Sequence, residues 1–464
     1  MKLLQLLTTV SAAPEYTLAF DQTAVTSSQW LCRVALWQKQ LNAAPELRRL
    51  ALFIPDSAEL AAVLVALWLC GKEAWLAPNN LPETSQQLSQ HVDGFIGDFP
   101  SGITHCLSLQ EEAEVDVSAL LIPLASDAVL VLFTSGSTGA PQLIRKNVRQ
   151  LAAEVEQLEQ CFGAMLGDCC VYATVSHQHI YGLLFRVLWP LANGRMFARF
   201  TTDYVERVFT PQTTPLCLVS SPTHLTRLPL AIEHRHLVTV VFSSGGPLSS
   251  AASVNANQRL QSDIVEVYGS TETGGIGWRR QHMGDSAWTL FDAVQAKPNA
   301  QQCLAVKSPF LPDDDWFDSS DLVHMQGEKF TLLGRADRVV KIEGKRVSLE
   351  QIETYLMADS WIDDVRVEPM IRTGSVASRD ELVALIVLSP EGVAALEQEG
   401  RRALAQRFKR ALGQLLERPL VPRRWRYIDR LPRNGQGKIQ YQQVQLLMNQ
   451  LLPATEREPV NDRS

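Results

Sequence analysis

Residues 48–78 have the sequence RRLALFIPDSAELAAVLVALWLCGKEAWLAP, and this stretch decides the fold class. Residues 48–54 form an apolar run that ends at Pro55, which predicts a buried strand. Residues 57–71 have the apolar spacing of a helix and end at a glycine, and residues 73–78 are a second predicted strand. A strand, a helix and a strand at this spacing are typical of a parallel sheet covered by helices.

The same pattern recurs along the first two thirds of the chain. Apolar runs without alternation predict buried parallel strands, and residues 147–161 have the period of a helix. The predicted strands are 128–133, 170–175, 216–220, 237–242 and 264–268. We therefore predict an α/β protein whose large N-terminal domain, residues 1–336, contains layered, mostly parallel sheets with helices.

The pattern changes after about residue 337, where the strands and helices become fewer and mixed. A short strand is predicted at 339–342, and Ser348 begins a helix with Gln351 as its partner in a capping box. Two strands, 365–371 and 381–388, and a helix at 393–417 follow. These elements predict a small α+β domain over residues 338–445, and the terminal residues 453–464 are predicted to be disordered.

Composition limits the possible classes of function. The 464 residues carry a net charge of -7, so no general affinity for nucleic acid is expected. The eight cysteines include no CxxC pair, which favours a reducing, cytoplasmic setting. The first 13 residues, MKLLQLLTTVSAA, resemble a signal peptide, but Gln5 and two threonines interrupt the apolar run and an amphipathic helix is predicted instead. The apolar stretch 60–69 is too short to cross a membrane.

A loop rich in glycine and hydroxyl groups follows the predicted strand 128–133. It has the sequence TSGSTGAPQ, residues 134–142, and its first six residues include two glycines and four hydroxyl side chains. Glycines allow successive backbone N–H groups to turn inward, and hydroxyls add donors, so the loop predicts a phosphate site. It lacks the lysine spacing of a Walker motif, which argues against a P-loop NTPase. Alone, the same composition is also typical of an ordinary loop.

This loop and several later segments resemble the adenylate-forming superfamily of acyl-CoA synthetases, peptide-synthetase adenylation domains and luciferases. The resemblance covers about residues 48–442 and its segments occur in the expected order. The later segments are SHQHIYG (176–182), SSGGPLS (243–249), VYGSTETGG (267–275), FDSSDLVHM (317–325), LLGRADRVVKIEGKRVSLEQIE (332–353) and LPRNGQGKIQY (431–441).

The resemblance implies a set of residues that bind the nucleotide. Tyr268 is expected to stack on adenine, Thr271 to bind the α-phosphate, and Asp321 to accept hydrogen bonds from both ribose hydroxyls. Arg335 is expected beside the ribose and the phosphates. The remaining expected nucleotide contacts are Thr134, Ser135, Gly136, Ser137, Thr138, Gly139, Gly245, Gly246, Pro247, Gly269 and Ser270.

The resemblance also implies the catalytic and mobile residues. Glu272 is expected to hold Mg²⁺, with Thr138 as a second candidate ligand. Lys438 corresponds to the catalytic lysine of the small domain, and His179 is expected beside the acyl pocket. Asp337 is expected at the hinge between the domains, and Gly344 on the loop that lines the thiol tunnel.

The phosphate loop departs from the family pattern at one position. Gln142 stands where the family usually has a lysine, so either Arg145 or Lys146 supplies the missing charge or the reaction is slower. The histidine pairs His177/His179 and 234/236 have a spacing that metals use, but no cysteine or carboxylate cluster accompanies them, and zinc is not expected.

The sequence therefore predicts an ATP-dependent ligase of a small carboxylic acid and a thiol. It would form an acyl-adenylate and pyrophosphate, and then a thioester with coenzyme A or with the phosphopantetheine of an acyl carrier protein. Residues 176–182 contain no carboxylate for an ammonium group, so an acid without an α-amino group is expected. Residues 401–440 contain twelve Lys or Arg and two acids, which favours an anionic acceptor. The alternative is a catalytically impaired nucleotide-binding homologue that acts as a scaffold or sensor.

Overall fold

The computed structural model describes residues 2–21, 23–103, 105–109, 115–135, 141–202, 205–208, 214–229, 232, 237–284, 286–342, 345–370, 381–433 and 439–450. In chain order its strands are β1 (Thr17–Phe20), β2 (Val25–Thr26), β3 (Arg49–Phe53), β4 (Glu73–Leu76), β5 (Gly94–Gly97), β6 (Cys106–Leu107), β7 (Val129–Ser135), β8 (Pro141–Asn147), β9 (Cys170–Ala173), β10 (Phe197–Ala198), β11 (Leu216–Ser220), β12 (Val238–Ser243), β13 (Asp263–Ser270), β14 (Gly274–Arg279), β15 (Trp288–Leu290), β16 (Gln295–Pro298), β17 (Cys303–Lys307), β18 (Phe317–Gln326), β19 (Lys329–Arg335), β20 (Val339–Ile342), β21 (Lys345–Ser348), β22 (Ile362–Met370), β23 (Glu381–Leu388) and β24 (Arg424–Tyr427). The α-helices are α1 (Leu6–Ala12), α2 (Ser27–Asn42), α3 (Ser57–Leu69), α4 (Pro82–Ser89), α5 (Val148–Leu166), α6 (Ile180–Gly182), α7 (Trp189–Ala192), α8 (Val205–Val208), α9 (Pro222–Leu225), α10 (Ser250–Leu260), α11 (Leu349–Met357), α12 (Pro390–Gly413) and α13 (Tyr441–Asn449).

The first sheet contains six strands in the order β6-β5-β3-β4-β7-β8. Its first five strands pair in parallel, and only β8 runs antiparallel, against β7. Leu50, Ala51 and Leu52 are all fully buried, as expected for a parallel strand covered on both faces. The predicted strand, helix and strand of residues 48–78 are therefore confirmed as β3, α3 and β4.

The second sheet contains thirteen strands in the order β16-β17-β18-β19-β15-β14-β13-β12-β11-β9-β10-β1-β2. From β10 through β9, β11 and β12 to β13 the neighbours are parallel, and they include the strands predicted from the sequence. From β13 onward the strands turn antiparallel and extend the sheet by six strands. This antiparallel half was not predicted, because most of its strands, such as β16 and β18, are partly exposed and carry no continuous apolar run.

Helix α3 lies in the core that both sheets share. Its residues from Leu60 to Trp68 are at most 1% exposed, and they belong to the same hydrophobic cluster as strands of both sheets. A helix that is apolar on all sides can be stable only in such a place. Asp56 begins the helix, because its side chain accepts hydrogen bonds from the amides of Ala58 and Glu59.

Helix α5 is longer than the sequence predicted. Asn147 caps it in a box with Gln150, in which each side chain accepts a hydrogen bond from the other residue's backbone N–H. The predicted end at Cys161 was too early, since Phe162 and Leu166 continue the buried face until Gly167 ends the helix with a positive φ of 54°.

The first residues form an amphipathic helical segment, as predicted. A 3-10 turn over Lys2–Gln5 leads into α1, and the side chains of Leu3, Leu6 and Leu7 are buried in the main core. No helix within the described ranges is long and apolar enough to cross a membrane.

Residues 339–450 form a smaller α+β part with two sheets, β20-β21 and β22-β23-β24, and with its own hydrophobic clusters. Of the two hydrogen bonds in the predicted capping box at Ser348, one is present and the other is not formed. Ser348 accepts from the amide of Gln351, but the Gln351 side chain donates to Tyr355 instead of returning to the cap. The predicted helix 393–417 is α12, which starts earlier, ends at Gly413 and is broken at Gly400. The domain boundary at residue 337 stays a prediction.

Candidate active site

The motif VYGSTETGG forms a tight hairpin at the end of β13. Gly269 pairs with Gly275 and Ser270 with Gly274, so Thr271 and Glu272 lie in the turn that joins β13 to β14. A Cβ atom on Gly269 would lie 2.2 Å from the carbonyl oxygen of Gly274, so this position requires glycine. The hairpin follows the carboxyl end of a parallel strand, which is where α/β sheets place their ligand sites.

Hydrogen bonds inside the turn hold its backbone. The hydroxyl groups of Ser270 and Thr273 lie 3.1 Å apart, and each also accepts from the other residue's amide. The Thr273 side chain is buried, whereas Thr271 and Glu272 are partly exposed. The turn therefore presents the two predicted phosphate and metal contacts toward solvent.

Tyr268, Asp321 and Arg335 come together beside this hairpin, although 67 positions separate the first from the last in the sequence. The Tyr268 hydroxyl donates to one carboxylate oxygen of Asp321, and the Arg335 guanidinium lies 3.3 Å from the other. Burial, together with the charge of Asp321, raises the pKa of Tyr268 well above its usual range. The Tyr268 ring also packs against Trp288 and Phe330, with centroids 5.4 and 5.6 Å away.

Arg335 continues this network to the predicted hinge. Its guanidinium donates to both oxygens of Asp337 at 2.9 and 2.6 Å, and this hydrogen bonding lowers the pKa of the Asp337 carboxyl. The Arg335 amide donates to Glu350 of α11 at 3.1 Å, so the residue contacts both parts of the chain. One arginine thus joins the predicted ribose ligand to the predicted hinge.

Two buried charged residues, Lys146 on β8 and Glu154 on α5, contact the backbone of the hairpin. The sequence interpretation did not identify them. The Lys146 ammonium donates to the carbonyl oxygens of Glu272 and Phe310, both at 2.8 Å. The Glu154 carboxylate accepts from the Gly275 amide at 2.6 Å. Burial lowers the pKa of Lys146 and raises that of Glu154. The spacing of polar Gln150, Glu154 and Gln157 on an otherwise apolar helix face was the available signal.

These contacts bear on the expectation that Arg145 or Lys146 replaces the lysine missing at Gln142. Lys146 is 3% exposed and its ammonium is bound to two backbone carbonyls of the hairpin and its neighbour. Arg145 points to the opposite face of β8 and pairs with Glu73 at 2.5 Å. Both side chains thus have other partners, and whether either supplies the missing charge stays a prediction.

The segment SHQHIYG lies over a second buried polar cluster. The ring nitrogens of His177 lie 3.2 Å from the Ser57 hydroxyl and 2.6 Å from the Ile54 carbonyl oxygen. Burial and the nearby Arg186 lower the pKa of His177 to about 3, so its ring is neutral. Both nitrogens are within hydrogen-bond distance of protein groups, which leaves His177 unsuited to binding a metal. His179 is half-buried and precedes the first turn of α6.

The segment SSGGPLS follows β12 next to the hairpin. Its Ser244 hydroxyl donates to the Val267 carbonyl at 2.8 Å, which ties the segment to β13. Gly245 has a φ of 91°, and a Cβ on Gly246 would meet nothing within 4 Å. Gly245, Gly246 and Pro247 are exposed, so their backbone is accessible, and their contact with adenine stays a prediction.

Several predicted residues lie outside the described residues. They are Gly136, Ser137, Thr138, Gly139, Gly344 and Lys438, together with residues 234 and 236 and the side chains of Thr134 and Ser135. The ends of the 136–140 loop are described: Ser135 pairs with Pro141 at the edge of the first sheet. Within the part of the chain that the structure describes, no three His, Cys, Asp or Glu side chains are grouped as a metal site.

Comparison with known proteins agrees with this geometry. Residues 40–301, more than half of the chain, match the AMP-binding enzyme family. The chain is 26% identical to a 4-coumarate–CoA ligase of Rhodobacter capsulatus over 69% of its own length and 77% of the relative's. It is 25% identical to a 2-succinylbenzoate–CoA ligase of Enterococcus faecalis over 75% of its own length and 80% of the relative's.

A solved structure has the same fold. The o-succinylbenzoate CoA synthetase of Bacillus subtilis, in complex with its acyl-adenylate intermediate, matches with a TM-score of 0.75 and 17% identity, over 98% of this chain and 99% of that one. Fold and site together thus define a nucleotide-binding α/β enzyme. The chain belongs to the AMP-binding enzyme family, and it is an ATP-dependent, AMP-forming ligase of the adenylate-forming superfamily.

Proposed function

We propose that this ligase activates an aryl or other carboxylic acid without an α-amino group and transfers the acyl group to a thiol, with coenzyme A as the first candidate. The observation that carries the proposal is the meeting of Tyr268, Asp321 and Arg335 beside the turn that carries Thr271 and Glu272. An aromatic ring, a carboxylate, a cation and a hydroxyl match the adenine, ribose and phosphates of one nucleotide.

Tyr268 and Asp321 hold the nucleoside in this proposal. Each Asp321 oxygen accepts one hydrogen bond from the protein, from Tyr268 or from Arg335. Because a carboxylate offers about four acceptor sites, Asp321 retains capacity for two ribose hydroxyls. The bonds from Tyr268 and Arg335 orient the carboxylate before the nucleotide arrives, which lowers the entropy cost of binding.

Thr271 and Glu272 face the phosphates. The Thr271 hydroxyl is a short donor for the α-phosphate, and the partly exposed Glu272 carboxylate suits Mg²⁺, which usually binds one or two carboxylates together with substrate phosphates. When bound there, Mg²⁺ would neutralise phosphate charge. The Lys146 ammonium donates to the Glu272 carbonyl, and Lys146 lies five residues after Pro141, so its Cα is at most about 18 Å from the end of the loop.

The second half-reaction needs the small domain to move. Lys438 is proposed to bridge the acid and the nucleotide during adenylation, where it offsets the repulsion between two anions. A rotation about Asp337 would then withdraw Lys438 and bring the loop of Gly344 to the thiol tunnel. Asp337 and Arg335 are joined by two hydrogen bonds. Such a rotation must either break these bonds or move both residues together.

The acid is proposed from the chemistry of the segment 176–182. It contains no carboxylate to pair with an ammonium, and burying an unpaired ammonium is costly. Beside it, the rings of Tyr181 and Phe185 pack 4.9 Å apart. The two relatives named above are ligases of 4-coumarate and 2-succinylbenzoate. Aryl acids are therefore the first substrates to test.

Coenzyme A is favoured over a carrier protein as the acceptor. Both relatives are CoA ligases. The basic stretch 401–440, which suggested an acidic partner protein, is partly neutralised, because several of its arginines pair with carboxylates inside the small domain. These pairs are Arg407–Asp359, Arg424–Glu381 and Arg433–Asp364.

A catalytically impaired homologue is the second candidate. Gln142 favours it, because Arg145 and Lys146 both have other partners. Such a protein would bind ATP without exchanging pyrophosphate.

The test is pyrophosphate–ATP exchange across a panel of aryl, fatty and amino acids, followed by thioester formation with coenzyme A or a phosphopantetheinylated carrier protein. We expect exchange with an aryl acid and a loss of about 100-fold in Glu272→Gln, because one phosphate-neutralising group is removed. Glu328→Gln, on the exposed turn between β18 and β19, is the matched control and should keep the wild-type rate.

Lys438→Ala separates the half-reactions. It should lose most of the exchange but still transfer the acyl group from preformed acyl-AMP to the thiol. ATP binding without exchange for any acid would favour the impaired homologue, and equal loss of both half-reactions would contradict the role of Lys438.

A further inference from the structure

One face of α5 is polar although it is buried. Four polar side chains here are between 2% and 6% exposed: Lys146, two residues before the helix, and Gln150, Glu154 and Gln157 on it. The helix residues recur at steps of four and three, so they line one face. Buried charges are costly unless their hydrogen bonds are satisfied, so a buried lysine and glutamate here call for a reason.

Apart from the bond that Gln150 accepts from its own N-cap, the contacts of this face go to backbone groups of other segments. Lys146 and Gln150 donate to the Phe310 carbonyl, each at 2.8 Å, and Lys146 also donates to the Glu272 carbonyl. Gln157 accepts from the Ala293 amide at 2.9 Å. The polar face therefore holds three separate loops rather than pairing with other side chains.

The hairpin is held at two points, one within its turn and one at the start of β14. Lys146 binds the carbonyl of Glu272, and Glu154 binds the amide of Gly275, three residues later. The glycines make this approach possible: a Cβ on Gly274, whose φ is 71°, would lie 2.8 Å from a Glu154 oxygen. The hydroxyl bonds between Ser270 and Thr273 fix the rest of the turn, so its backbone has little freedom.

The two charges also act on the turn electrostatically. Burial lowers the pKa of Lys146, and the negative charges of Glu154 and Glu272 act against this and favour its charged form. A cation fixed on the backbone of Glu272 keeps that residue's carbonyl directed inward. Glu272 itself is partly exposed, so its carboxylate is open to a ligand.

We propose that Lys146 and Glu154 are positioning residues that hold the 270–275 turn at two points, so that Thr271 and Glu272 face the triphosphate and its Mg²⁺. This inference rests on the proposed role of Glu272. Outer groups that orient a metal ligand usually change metal affinity by about 10- to 100-fold when they are removed.

Lys72 provides a matched control. It is the other strongly buried lysine of the described chain, at 6% exposure, and its ammonium also donates to two backbone carbonyls, those of Ala44 and Leu47, at 2.8 and 2.5 Å. These acceptors follow α2, and no contact joins Lys72 to the hairpin. Lys146→Met and Lys72→Met therefore remove the same kind of group from two places, of which only one touches the proposed site.

The experiment is calorimetric titration of the full-length chain with ATP at several Mg²⁺ concentrations and with AMP, together with thermal melts. We expect both variants to melt earlier than the wild type. Only Lys146→Met should raise the Mg²⁺ concentration needed for tight ATP binding, by about tenfold. AMP affinity should change less than threefold, because Tyr268 and Asp321 remain intact.

Two milder variants cover the case in which Lys146→Met does not fold. Glu154→Gln keeps an acceptor for the Gly275 amide. Lys146→Arg keeps the positive charge on a longer side chain that ends in a guanidinium group. A raised Mg²⁺ requirement in Glu154→Gln with partial recovery in Lys146→Arg supports the positioning role. An unchanged Mg²⁺ requirement in every variant overturns it. If the wild-type chain itself does not bind ATP, the proposed function fails instead, and the two failures are distinguishable.

Discussion

Two predicted site segments, the hairpin turn 270–275 and the segment 176–182, each lie over a buried polar cluster, and the two clusters differ in charge. Beneath the turn, Lys146 and Glu154 have opposite signs. Beneath the other segment, Arg186 is fully buried, and its guanidinium donates to the Arg199 carbonyl at 3.0 Å and to the Thr201 hydroxyl at 2.5 Å. Both clusters fix loop backbone by donating to carbonyl oxygens.

The difference shows how a buried cation can serve two purposes. Burial lowers the pKa of Arg186 to about 9, and the charge of Arg186 in turn helps burial to keep His177 neutral. Under the turn, two carboxylates stabilise the Lys146 charge beside a predicted metal ligand. The cluster beneath residues 176–182 therefore keeps His177 neutral, whereas the cluster beneath the turn keeps charge next to the proposed phosphates. We expect substitutions in the first to change stability and those in the second to change nucleotide binding.

The largest effect is expected at two glycines, one in each segment, that lie directly against the carbonyl group of another residue. A Cβ on Gly182 would lie 2.1 Å from the Ser176 carbonyl oxygen, and one on Gly269 would lie 2.2 Å from that of Gly274. Backbone cannot move aside easily, so each alanine variant should lose about 3 kcal/mol of unfolding free energy, as measured by urea denaturation. Gly413→Ala in α12 is the control, since nothing lies within 4 Å of its added Cβ.

Gly182→Ala and Gly269→Ala should also separate the two segments functionally. The first should leave ATP affinity nearly unchanged in the folded fraction, and the second should weaken it, because its turn carries Thr271 and Glu272. Equal loss of ATP affinity in both would contradict the assignment of the nucleotide to the hairpin alone.

A smaller effect concerns pH and tests whether His177 is held neutral in the folded chain. The pKa of His177 is about 3 when folded, so between about pH 3 and 6.5 the unfolded chain binds more protons. The folded state must then lose stability as the pH falls, by about 2 kcal/mol from pH 7 to pH 5 for this one group. Urea denaturation at several pH values measures this, and His177→Gln should remove that part of the slope.

His91 is the control for the pH experiment. Its ring is exposed, so His91→Gln should keep the wild-type pH dependence. If the slope survives in His177→Gln as well, the histidine is not held neutral and the contrast between the clusters is wrong.

The smallest effect is expected from Arg145, the neighbour of Lys146 on β8. Its side chain is about half exposed, at 53%, and pairs with Glu73. An exposed ion pair contributes about 0.2–1 kcal/mol, so Arg145→Gln should lose no more than this in urea denaturation. ATP affinity by titration should stay within twofold. A large loss of ATP affinity would show that Arg145 reaches the phosphates after all and compensates for Gln142.

Much of the fold followed from local pattern. The apolar run at residues 50–52 and the all-round apolar helix α3 can be stable only when buried on every side, so they predict a covered parallel sheet without any tertiary information. The antiparallel half of the large sheet did not follow, because strands such as β18 are partly exposed along much of their length. The end of α5 and the break of α12 at Gly400 depend on packing and on a positive φ, which composition does not reveal.

For the site, the sequence by itself determined which residue types are available: a tyrosine, an aspartate, an arginine and the Thr-Glu pair, in an order that resembles adenylate-forming enzymes. Only the tertiary structure decided that Tyr268, Asp321 and Arg335 meet, because long-range strand pairing brings distant residues together. It also decided that Lys146 binds the backbone of Glu272, since the face of a strand on which a side chain lies determines its partners.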